Sequence, residues 1–428
     1  MSNIDRREFL EIVAAGGLAA AFGPVSVSDA FAGARGHVVV VGGGFGGATC
    51  ANYLRRYGPD LKVTLIEPNK SYYTCPFSNT VLGGMNKIEF IKHSYKNLGS
   101  KRGVDVIHDR VVAVDAGKRT VKLESGKTIS YDRLVMSPGI DFQWQAIEGY
   151  SEAASKKIPH AWKAGDQTRT LFNQVAGMRN GGVVIIAPPD NPFRCPPGPY
   201  ERAAMIAHYL KQHKPKSKIL ILDAKDKFSK QPLFMEAYEA LYPGMIEWVK
   251  GSAGGKVERI DVKNRTLHTM MGNKHRGDVI NLIPPQKAGA IAHSSGLTNA
   301  DGWCPVDKRT FASTMQKNIH VIGDASIASA LPKSGFAASA EAKVCAAAIV
   351  SDLAGTTMPD PTYNNTCYSL ASPEYGISVA AVYRFEDGSI KQVSGGVSPK
   401  GADKRHRKQE ARYAIDWYKA ITSDMFAS

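Results

Sequence analysis

The sequence is poor in cysteine, and its six cysteines follow no metal-binding or haem-binding spacing. No Cys-x-x-Cys pair occurs, which excludes a zinc ribbon, and no Cys-x-x-Cys-His occurs, which excludes a c-type haem attached to this chain. We therefore predict no metal site. After residue 32 the sequence also lacks an apolar run of about 20 residues, so we expect no membrane span. The cysteines are Cys50, Cys75, Cys195, Cys304, Cys345 and Cys367.

Acidic residues are few relative to basic ones. The chain has 39 Asp and Glu against 54 Lys and Arg, which gives a formal net charge of +15 at pH 7. A surface of this charge attracts small anions or an acidic partner, and it could also bind nucleic acid without sequence specificity. The basic run at 400–412 is typical of a solvated face, with partner docking as the alternative.

The N-terminus has the layout of an export signal. Arg6 and Arg7 precede Phe-Leu, a short apolar stretch covers 12–22, and small residues end the segment at 30–32. This layout predicts a secretory signal over 1–32, and the paired arginines favour the twin-arginine route. The predicted location is the periplasm, which argues against a nucleic acid partner. An amphipathic N-terminal helix is the alternative.

A dinucleotide-binding pattern follows this signal. The apolar run 37–41 leads into Gly42, Gly44 and Gly47, which match G-x-G-x-x-G, and a helical pattern comes next. A second apolar run ends at Glu67, twenty residues after Gly47, the spacing that places a carboxylate on an adenosine ribose. The order of strand, glycine turn, helix, strand and acid predicts a bound nucleotide. A glycine-rich turn without a ligand is the alternative.

Two later segments indicate that this nucleotide is FAD. Residues 131–139 end in Pro138-Gly139 and resemble the strand and turn that close the first half of two-dinucleotide flavoproteins. Residues 318–324 resemble the strand whose final aspartate, here Asp324, holds the ribityl chain of FAD. A helix cap is the alternative role for Asp324.

Lys333 and Ser334 are further candidate cofactor-binding residues. They precede a helix rich in small residues at 336–353, whose N-terminus would direct its partial positive charge at the flavin pyrimidine. Lys333 would contact the edge of that ring. An ordinary surface lysine is the alternative.

The middle third has the outline of a second nucleotide fold without its phosphate turn. Apolar runs at 181–186 and 218–223 flank a helical pattern, but the turn at 187–199 carries six prolines and Cys195. Proline has no N–H to donate to a phosphate, so we predict that NAD(P)H does not bind here. A cysteine in this place indicates thiol or disulfide chemistry beside a cofactor held elsewhere.

Three segments carry a family resemblance. They are YYTCP at 72–76, FRCPPGPYER at 193–202 and YNNTCY at 363–368. With them the chain resembles the flavoprotein subunit of flavocytochrome c sulfide dehydrogenase, a relative of sulfide:quinone oxidoreductases. The resemblance implies FAD attached covalently to Cys75, a redox-active disulfide between Cys195 and Cys367, and oxidation of sulfide to sulfur or polysulfide. It places haem only on a separate c-type cytochrome subunit, so we expect a heterodimer.

Each of these cysteines also has a purely structural interpretation. Cys75 could be a small buried hydrophobe, and Cys195 and Cys367 could form a plain structural cross-link.

Two more residues are candidates beside the flavin: Glu201 as a base that deprotonates sulfide, and Trp417 as a ring packed over the disulfide and flavin. A first-turn acid that complements the helix dipole and a core tryptophan are the respective alternatives.

These elements predict an α/β fold of two Rossmann-type domains, similar to glutathione reductase, with a small α+β C-terminal domain. The predicted boundaries are 1–32 for the export signal, 33–146 and 279–355 for the FAD-binding domain, 147–278 for the second Rossmann-like domain, and 356–428 for the C-terminal interface domain.

Three other functions share some of these features. A sulfide:quinone oxidoreductase would have the same fold, FAD and disulfide, but it needs a hydrophobic C-terminal helix, and the pattern at 404–421 is polar. A non-catalytic accessory flavoprotein of a sulfur-oxidation system would use the disulfide without turnover. An NADH-dependent disulfide reductase is disfavoured by the proline turn.

Overall fold

The computed structural model describes residues 33–428, so the predicted export signal at 1–32 lies outside the described residues. The strands are β1 (His37–Val41), β2 (Lys62–Ile66), β3 (Ser71–Tyr73), β4 (Lys92–Ser94), β5 (Asp105–Ile107), β6 (Val111–Asp115), β7 (Thr120–Leu123), β8 (Thr128–Ser130), β9 (Arg133–Met136), β10 (Ile140–Phe142), β11 (Val183–Ala187), β12 (Lys218–Leu222), β13 (Ile246–Val249), β14 (Val257–Asp261), β15 (Thr266–Thr269), β16 (Lys274–Arg276), β17 (Val279–Leu282), β18 (Gln286–Ala288), β19 (Cys304–Pro305), β20 (Ile319–Val321), β21 (Ser326–Ile327), β22 (Thr362–Ser372), β23 (Tyr375–Glu386) and β24 (Ser389–Val397). The helices are α1 (Phe45–Tyr57), α2 (Ser78–Leu82), α3 (Lys96–Arg102), α4 (Glu152–Ser155), α5 (Asp166–Gly177), α6 (Gly198–His213), α7 (Gln231–Leu241), α8 (Ala290–Ser294), α9 (Gly335–Ala354) and α10 (Lys404–Phe426).

The first nucleotide unit is built on a parallel sheet with the strand order β20-β9-β1-β2-β5. The valines of β1 are buried, as expected for a central strand of a parallel sheet. Helices α1 and α9 pack against each other in this unit. Because β20 joins the sheet beside β9, the unit is assembled from two separate stretches of sequence.

The second unit repeats this design with the order β13-β12-β11-β17, again all parallel. Helix α6 follows β11 as α1 follows β1. Val279 in β17 pairs with Val184 in β11, so this sheet continues to Leu282, four residues beyond the predicted boundary at 278. A short apolar strand can join either sheet, and its own sequence does not specify the neighbouring strand.

The C-terminal unit is an antiparallel sheet, β22-β23-β24, with α10 packed against it. The end of α10 reaches the first unit, where the Phe426 ring stacks on His93 with 5.0 Å between ring centroids. These three units confirm the predicted fold class. In residues 33–428, no helix combines enough length with enough hydrophobicity to cross a membrane.

Candidate active site

The glycine-rich turn between β1 and α1 brings two parts of the backbone into close contact. Gly42 has a φ of +97°, and a Cβ at this position would overlap the Ser137 carbonyl oxygen. A Cβ on Gly47 would overlap the Gly42 carbonyl oxygen, so α1 can approach β1 this closely only without a side chain there. Gly44 directly precedes α1, whose N-terminal N–H groups form a suitable site for a phosphate.

Glu67 directly follows β2, beside this turn, and is almost fully buried. One carboxylate oxygen accepts a hydrogen bond from Gly43 N at 2.9 Å. The other accepts from N and Nδ2 of Asn69 at 2.9 and 2.7 Å. These bonds fix the carboxylate at the edge of the glycine turn, where dinucleotide folds bind the adenosine ribose.

Pro138 and Gly139 follow β9 and pack on the segment before α8. Gly139 has a φ of +62°, and its carbonyl oxygen accepts a hydrogen bond from Gly289 N at 2.9 Å. A Cβ on Gly289 would lie 2.6 Å from the Pro138 carbonyl oxygen. This turn directly follows Ser137, the residue that Gly42 contacts, so it lies beside the glycine turn.

Asp324 lies in the short 3-10 turn Gly323–Ala325 after β20. Its Oδ1 is buried without a hydrogen-bond partner in the described part of the chain, while Oδ2 lies 3.7 Å from Arg194 Nη1. Burial raises the pKa of this carboxyl, and the charges of Arg194 and Lys333 oppose that rise. Buried polar atoms normally have partners, so this oxygen fits a ligand hydroxyl such as those of the ribityl chain of FAD.

Lys333 and Ser334 lie between Asp324 and α9. The Lys333 ammonium donates to the carbonyl oxygens of Asp324 and Ser326, both at 2.8 Å, and lies 3.9 Å from the centre of the Trp303 ring. Ser334 is the N-cap of α9, and its Oγ accepts a first-turn N–H at 3.1 Å. Lys333 therefore stabilises the turn that carries Asp324 through these hydrogen bonds, and it is not an ordinary surface lysine.

Three cysteines line one cavity. Cys75 comes from the segment after β3, Cys195 from the proline turn and Cys367 from β22. All three are free in this structure, so the expected disulfide between Cys195 and Cys367 is not formed here. Glu201 and Trp417 line the same cavity. The other three cysteines are buried in the hydrophobic core. The fold thus brings together three sulfurs from distant parts of the sequence.

Cys195 has an uncommon backbone conformation, with a φ of +56°. Its N–H donates to the Lys333 carbonyl oxygen at 2.8 Å, and its own carbonyl oxygen accepts from Gly198 N at 2.9 Å. A Cβ on Gly198 would lie 3.1 Å from the Cys195 sulfur and 2.7 Å from the Trp162 ring. Burial is the main cause that raises the pKa of the Cys195 thiol. Cys195 is partly buried, and a nearby positive charge favours its ionisation.

Glu201 lies in the first turn of α6, beside the sulfurs. One carboxylate oxygen accepts from Asn79 Nδ2 at 2.9 Å and the other from Leu370 N at 2.8 Å. Burial raises the pKa of its carboxyl, and these two bonds oppose the rise. A carboxyl that keeps its proton closer to neutral pH is suited to proton exchange. The same two bonds give Glu201 a structural role, because they tie α6 to α2 and β22.

Trp417 extends from α10 to the same cavity. Its ring is within 15° of parallel to Phe336, with 6.3 Å between centroids. Its Nε1 is buried and has no hydrogen-bond partner among residues 33–428. This indole N–H is therefore available to a bound group.

Sequence reasoning missed three cations around the cavity: Arg194, Arg202 and Lys230. Arg194 lines the cavity, donates to the Trp162 carbonyl oxygen and approaches Asp324. Arg202 and Lys230 are 2% and 8% exposed. The only available signal was the position of the two arginines within the 193–202 segment. Across residues 33–428, no group of three or more His, Cys, Asp or Glu side chains is arranged to hold a metal ion.

In the second unit, the acid that would bind a nucleotide ribose is already paired with other side chains. Asp223 directly follows β12, where such units place a ribose-binding acid, and it is fully buried. Its Oδ1 lies 2.7 Å from Lys225 Nζ, while its Oδ2 accepts from the Tyr200 hydroxyl and, at 3.0 Å, from Trp248 Nε1. Lys225 Nζ also donates to the Pro189 carbonyl oxygen at 2.7 Å. The carboxylate thus holds the proline turn, which supports the expectation that NAD(P)H does not bind there.

Three family models match the chain. Residues 36–174 match the pyridine nucleotide-disulphide oxidoreductase model. Residues 168–284 match the central part of the sulfide dehydrogenase (flavocytochrome c) flavoprotein chain. Residues 359–426 match the flavin-binding part of flavocytochrome c sulphide dehydrogenase. The match to the central part includes the proline turn with Cys195. The match to the flavin-binding part includes most of the C-terminal unit, with Cys367.

Individual relatives agree with these models. The sulfide dehydrogenase (flavocytochrome c) flavoprotein chain of Chlorobaculum thiosulfatiphilum is 64% identical over 44 residues, which is 10% of this chain and 92% of that sequence. The mitochondrial sulfide:quinone oxidoreductase of Dictyostelium discoideum is 25% identical over 296 residues, 68% of this chain. That match spans 65% of the relative, a little under two thirds of its length. The structure of the sulfide:quinone oxidoreductase from Aquifex aeolicus has a TM-score of 0.70 at 22% identity and covers 92% of both chains, which shows a shared fold.

Proposed function

Since the chain belongs to the family of flavocytochrome c sulfide dehydrogenase flavoprotein chains, we propose that it oxidises sulfide in the periplasm to sulfur or polysulfide and passes the electrons to a separate c-type cytochrome. The observation that carries the proposal is the cavity shared by Cys75, Cys195 and Cys367. Arg194 lines this cavity and approaches Asp324, which connects the sulfurs to the first nucleotide unit. The periplasmic location rests on the sequence pattern of residues 1–32.

FAD fits the residues that surround the first unit. The glycine turn and Glu67 would hold its pyrophosphate and adenosine ribose, and the unpartnered Oδ1 of Asp324 would accept from the ribityl chain. When bound, FAD accepts the two electrons that sulfide loses and can release them singly to a haem. We assign Cys75 the covalent link to the flavin, as the family resemblance implies; Cys75 lines the same cavity as Cys195 and Cys367.

The proposed reaction needs Cys195 and Cys367, which are unbonded in this structure, to be joined first as a disulfide, as the family resemblance implies. When hydrosulfide attacks one of the two sulfurs, a new S–S bond forms between sulfide and that cysteine. The Cys195–Cys367 bond breaks, and its electron pair remains on the other sulfur as a thiolate. Glu201, which lines the cavity, takes the proton that the resulting persulfide releases.

A quinone acceptor is the second candidate, because the Dictyostelium relative and the Aquifex structure are sulfide:quinone oxidoreductases. A sulfide:quinone oxidoreductase is expected to have a hydrophobic C-terminal helix. On the outer surface of α10 several exposed residues are instead charged, which favours the cytochrome; they include Lys404, Arg405, Lys408 and Arg412. A non-catalytic accessory role would keep the same cavity without turnover.

Anaerobic turnover of the purified protein with sulfide tests the proposal. Cytochrome c should be reduced faster than a short-chain quinone. Cys195→Ser should abolish turnover while the flavin content stays that of wild type. Cys304→Ser is the control, because Cys304 is a free cysteine that is buried in the core and does not line the cavity, and it should retain turnover.

The outcomes separate the three candidates. Normal sulfide turnover in Cys195→Ser would refute the disulfide mechanism. Reduction of the quinone alone would assign the second candidate. No turnover of wild-type protein with either acceptor would leave the accessory role.

A further inference from the structure

Lys230 is a buried lysine behind the strand that carries Cys367. It precedes α7 with a φ of +60° and is 8% exposed. Its Nζ donates to the Cys367 carbonyl oxygen at 3.2 Å and to Ser369 Oγ at 2.8 Å. Both acceptors are neutral, so these bonds hold the ammonium in place without cancelling its charge.

The ionisable groups that respond to this charge belong to the sulfur cavity. Lysine is almost never fully buried unless it is paired with an anion. Burial raises the pKa of Cys195, Cys367 and Glu201, and the positive charge of Lys230 lowers the pKa of all three. The natural partner of the buried ammonium is therefore an anion formed in this cavity.

Four other ionisable groups act on the cysteines, and the two cations among them share the stabilisation of a sulfur anion with Lys230. These groups are Cys75, Glu201, Arg194 and Arg202. Cys75 and Glu201 are acidic, so their negative forms oppose a second anion. Arg194 is directed at Asp324, with 3.7 Å between Nη1 and Oδ2. The Arg202 guanidinium is held by neutral oxygens of Asn79, His160, Ala161 and Asn281.

We propose that Lys230 is a positioning residue that holds the Cys367 strand and stabilises the sulfur anion formed when the cysteine pair opens. The inference rests on the proposed function, because sulfide attack is what releases this anion. When hydrosulfide bonds to one cysteine sulfur, the electron pair of the broken Cys195–Cys367 bond stays on the other sulfur. That negative charge then lies in the field of the buried ammonium, which itself neither gains nor loses a proton.

Thiol titration of the reduced protein tests this role without sulfide or an electron acceptor. The rate of alkylation by iodoacetamide is measured against pH, and peptide mass spectrometry resolves Cys195 and Cys367 from the other cysteines. Lys230→Gln keeps an N–H donor for the Cys367 carbonyl oxygen but removes the charge. It should raise the alkylation midpoint by about one pH unit, the lower end of the effect of a nearby opposite charge. Lys230→Arg should restore the wild-type midpoint.

Lys308→Met is the matched control. Lys308 is a partly buried lysine whose ammonium donates to the carbonyl oxygens of Val306 and Ile327, whereas the Lys230 ammonium donates to the strand that carries Cys367. Its variant should keep the wild-type midpoints. Lys230→Met is a second charge-free variant, in case Lys230→Gln does not fold.

Either charge-free variant decides the question once it is folded with the wild-type flavin content. Unchanged alkylation midpoints for both Cys195 and Cys367 would overturn the role of Lys230, whatever the turnover assay shows. Conversely, a raised midpoint together with normal sulfide turnover in Cys195→Ser would keep the charge effect and refute the proposed function.

Discussion

Substitution of the Lys225 side chain should lower the local free energy of unfolding of the second unit. Lys225 and Asp223 are 7% and 0% exposed, with 2.7 Å between Nζ and Oδ1. Lys225→Met leaves the carboxylate buried, with the Tyr200 hydroxyl, Trp248 Nε1 and the backbone N–H of residue 225 as remaining donors. Removing one partner of a buried ion pair costs about 3–5 kcal/mol. Because three donors remain, we expect the lower end, about 3 kcal/mol.

Hydrogen exchange of the amides in β11 and β12 measures this loss locally. A loss of about 3 kcal/mol corresponds to roughly 100-fold faster exchange, since about 1.4 kcal/mol is a factor of ten. Combining Asp223→Asn with Lys225→Met removes both charges, so the double variant should exchange more slowly than Lys225→Met alone. Amides of β1 and β2 in the first unit serve as the internal control.

Two results would refute this reasoning. Wild-type exchange in Lys225→Met would mean that the ion pair does not stabilise the second unit. A double variant that exchanges as fast as the single one would mean that the loss comes from packing of the lysine stem and not from the unpaired carboxylate.

Three further predictions follow from single contacts. Gly47→Ala should lose most of its flavin, because the new Cβ would overlap the Gly42 carbonyl oxygen. Gly177→Ala, whose Cβ would meet no atom within 4 Å, should keep it, and flavin absorbance per protein measures both. Cys75→Ala should release flavin on acid denaturation, whereas the wild-type polypeptide should retain it; release from wild type would contradict the covalent link. Burial raises the pKa of Glu341, which accepts from Gly323 N at 2.6 Å, from 4.5 to about 8. Between these two values the folded protein keeps a proton that the unfolded chain releases, so stability falls as pH rises through this window. Glu341→Gln should flatten this fall in thermal midpoints measured against pH, and an unchanged slope would contradict the assignment.

Short-range patterns explain why the first unit could be predicted from the sequence. The glycine turn and Glu67 lie within 31 residues, from 37 to 67, and two of their defining contacts, Gly47 on the Gly42 carbonyl and Gly43 N to Glu67, lie inside that stretch. The cysteines are different, because no local pattern joins Cys75, Cys195 and Cys367. Their common cavity was implied by the family resemblance of the segments that carry them, and the fold brings them together.

The features missed by sequence reasoning depend on distant partners. A lysine in a polar loop has the same local sequence whether it is buried or exposed. Lys230 is buried because β22 lies over it, and Cys367, its partner there, is 137 residues later in the chain. The end of α10 was predicted at 421, but the helix continues to Phe426 because its last residues find apolar partners on the first unit.

In the second unit, the turn with Cys195 stands where a nucleotide-binding turn would be, and the surrounding α/β fold is retained. In open α/β sheets, ligands lie beyond the carboxyl ends of the strands, and the turns after β1 and β11 have this position in their units. Prolines remove the phosphate donors from the second turn, and Lys225 neutralises the acid that would bind a ribose. Cys195 N donates to the Lys333 carbonyl oxygen at 2.8 Å, and Lys333 in turn braces the turn of Asp324. The second turn therefore packs against the part of the first unit that carries Asp324. Under the proposed function, a sulfur at Cys195 would act there in place of a second nucleotide, so the electron donor would change while the FAD site of the first unit stays as it is.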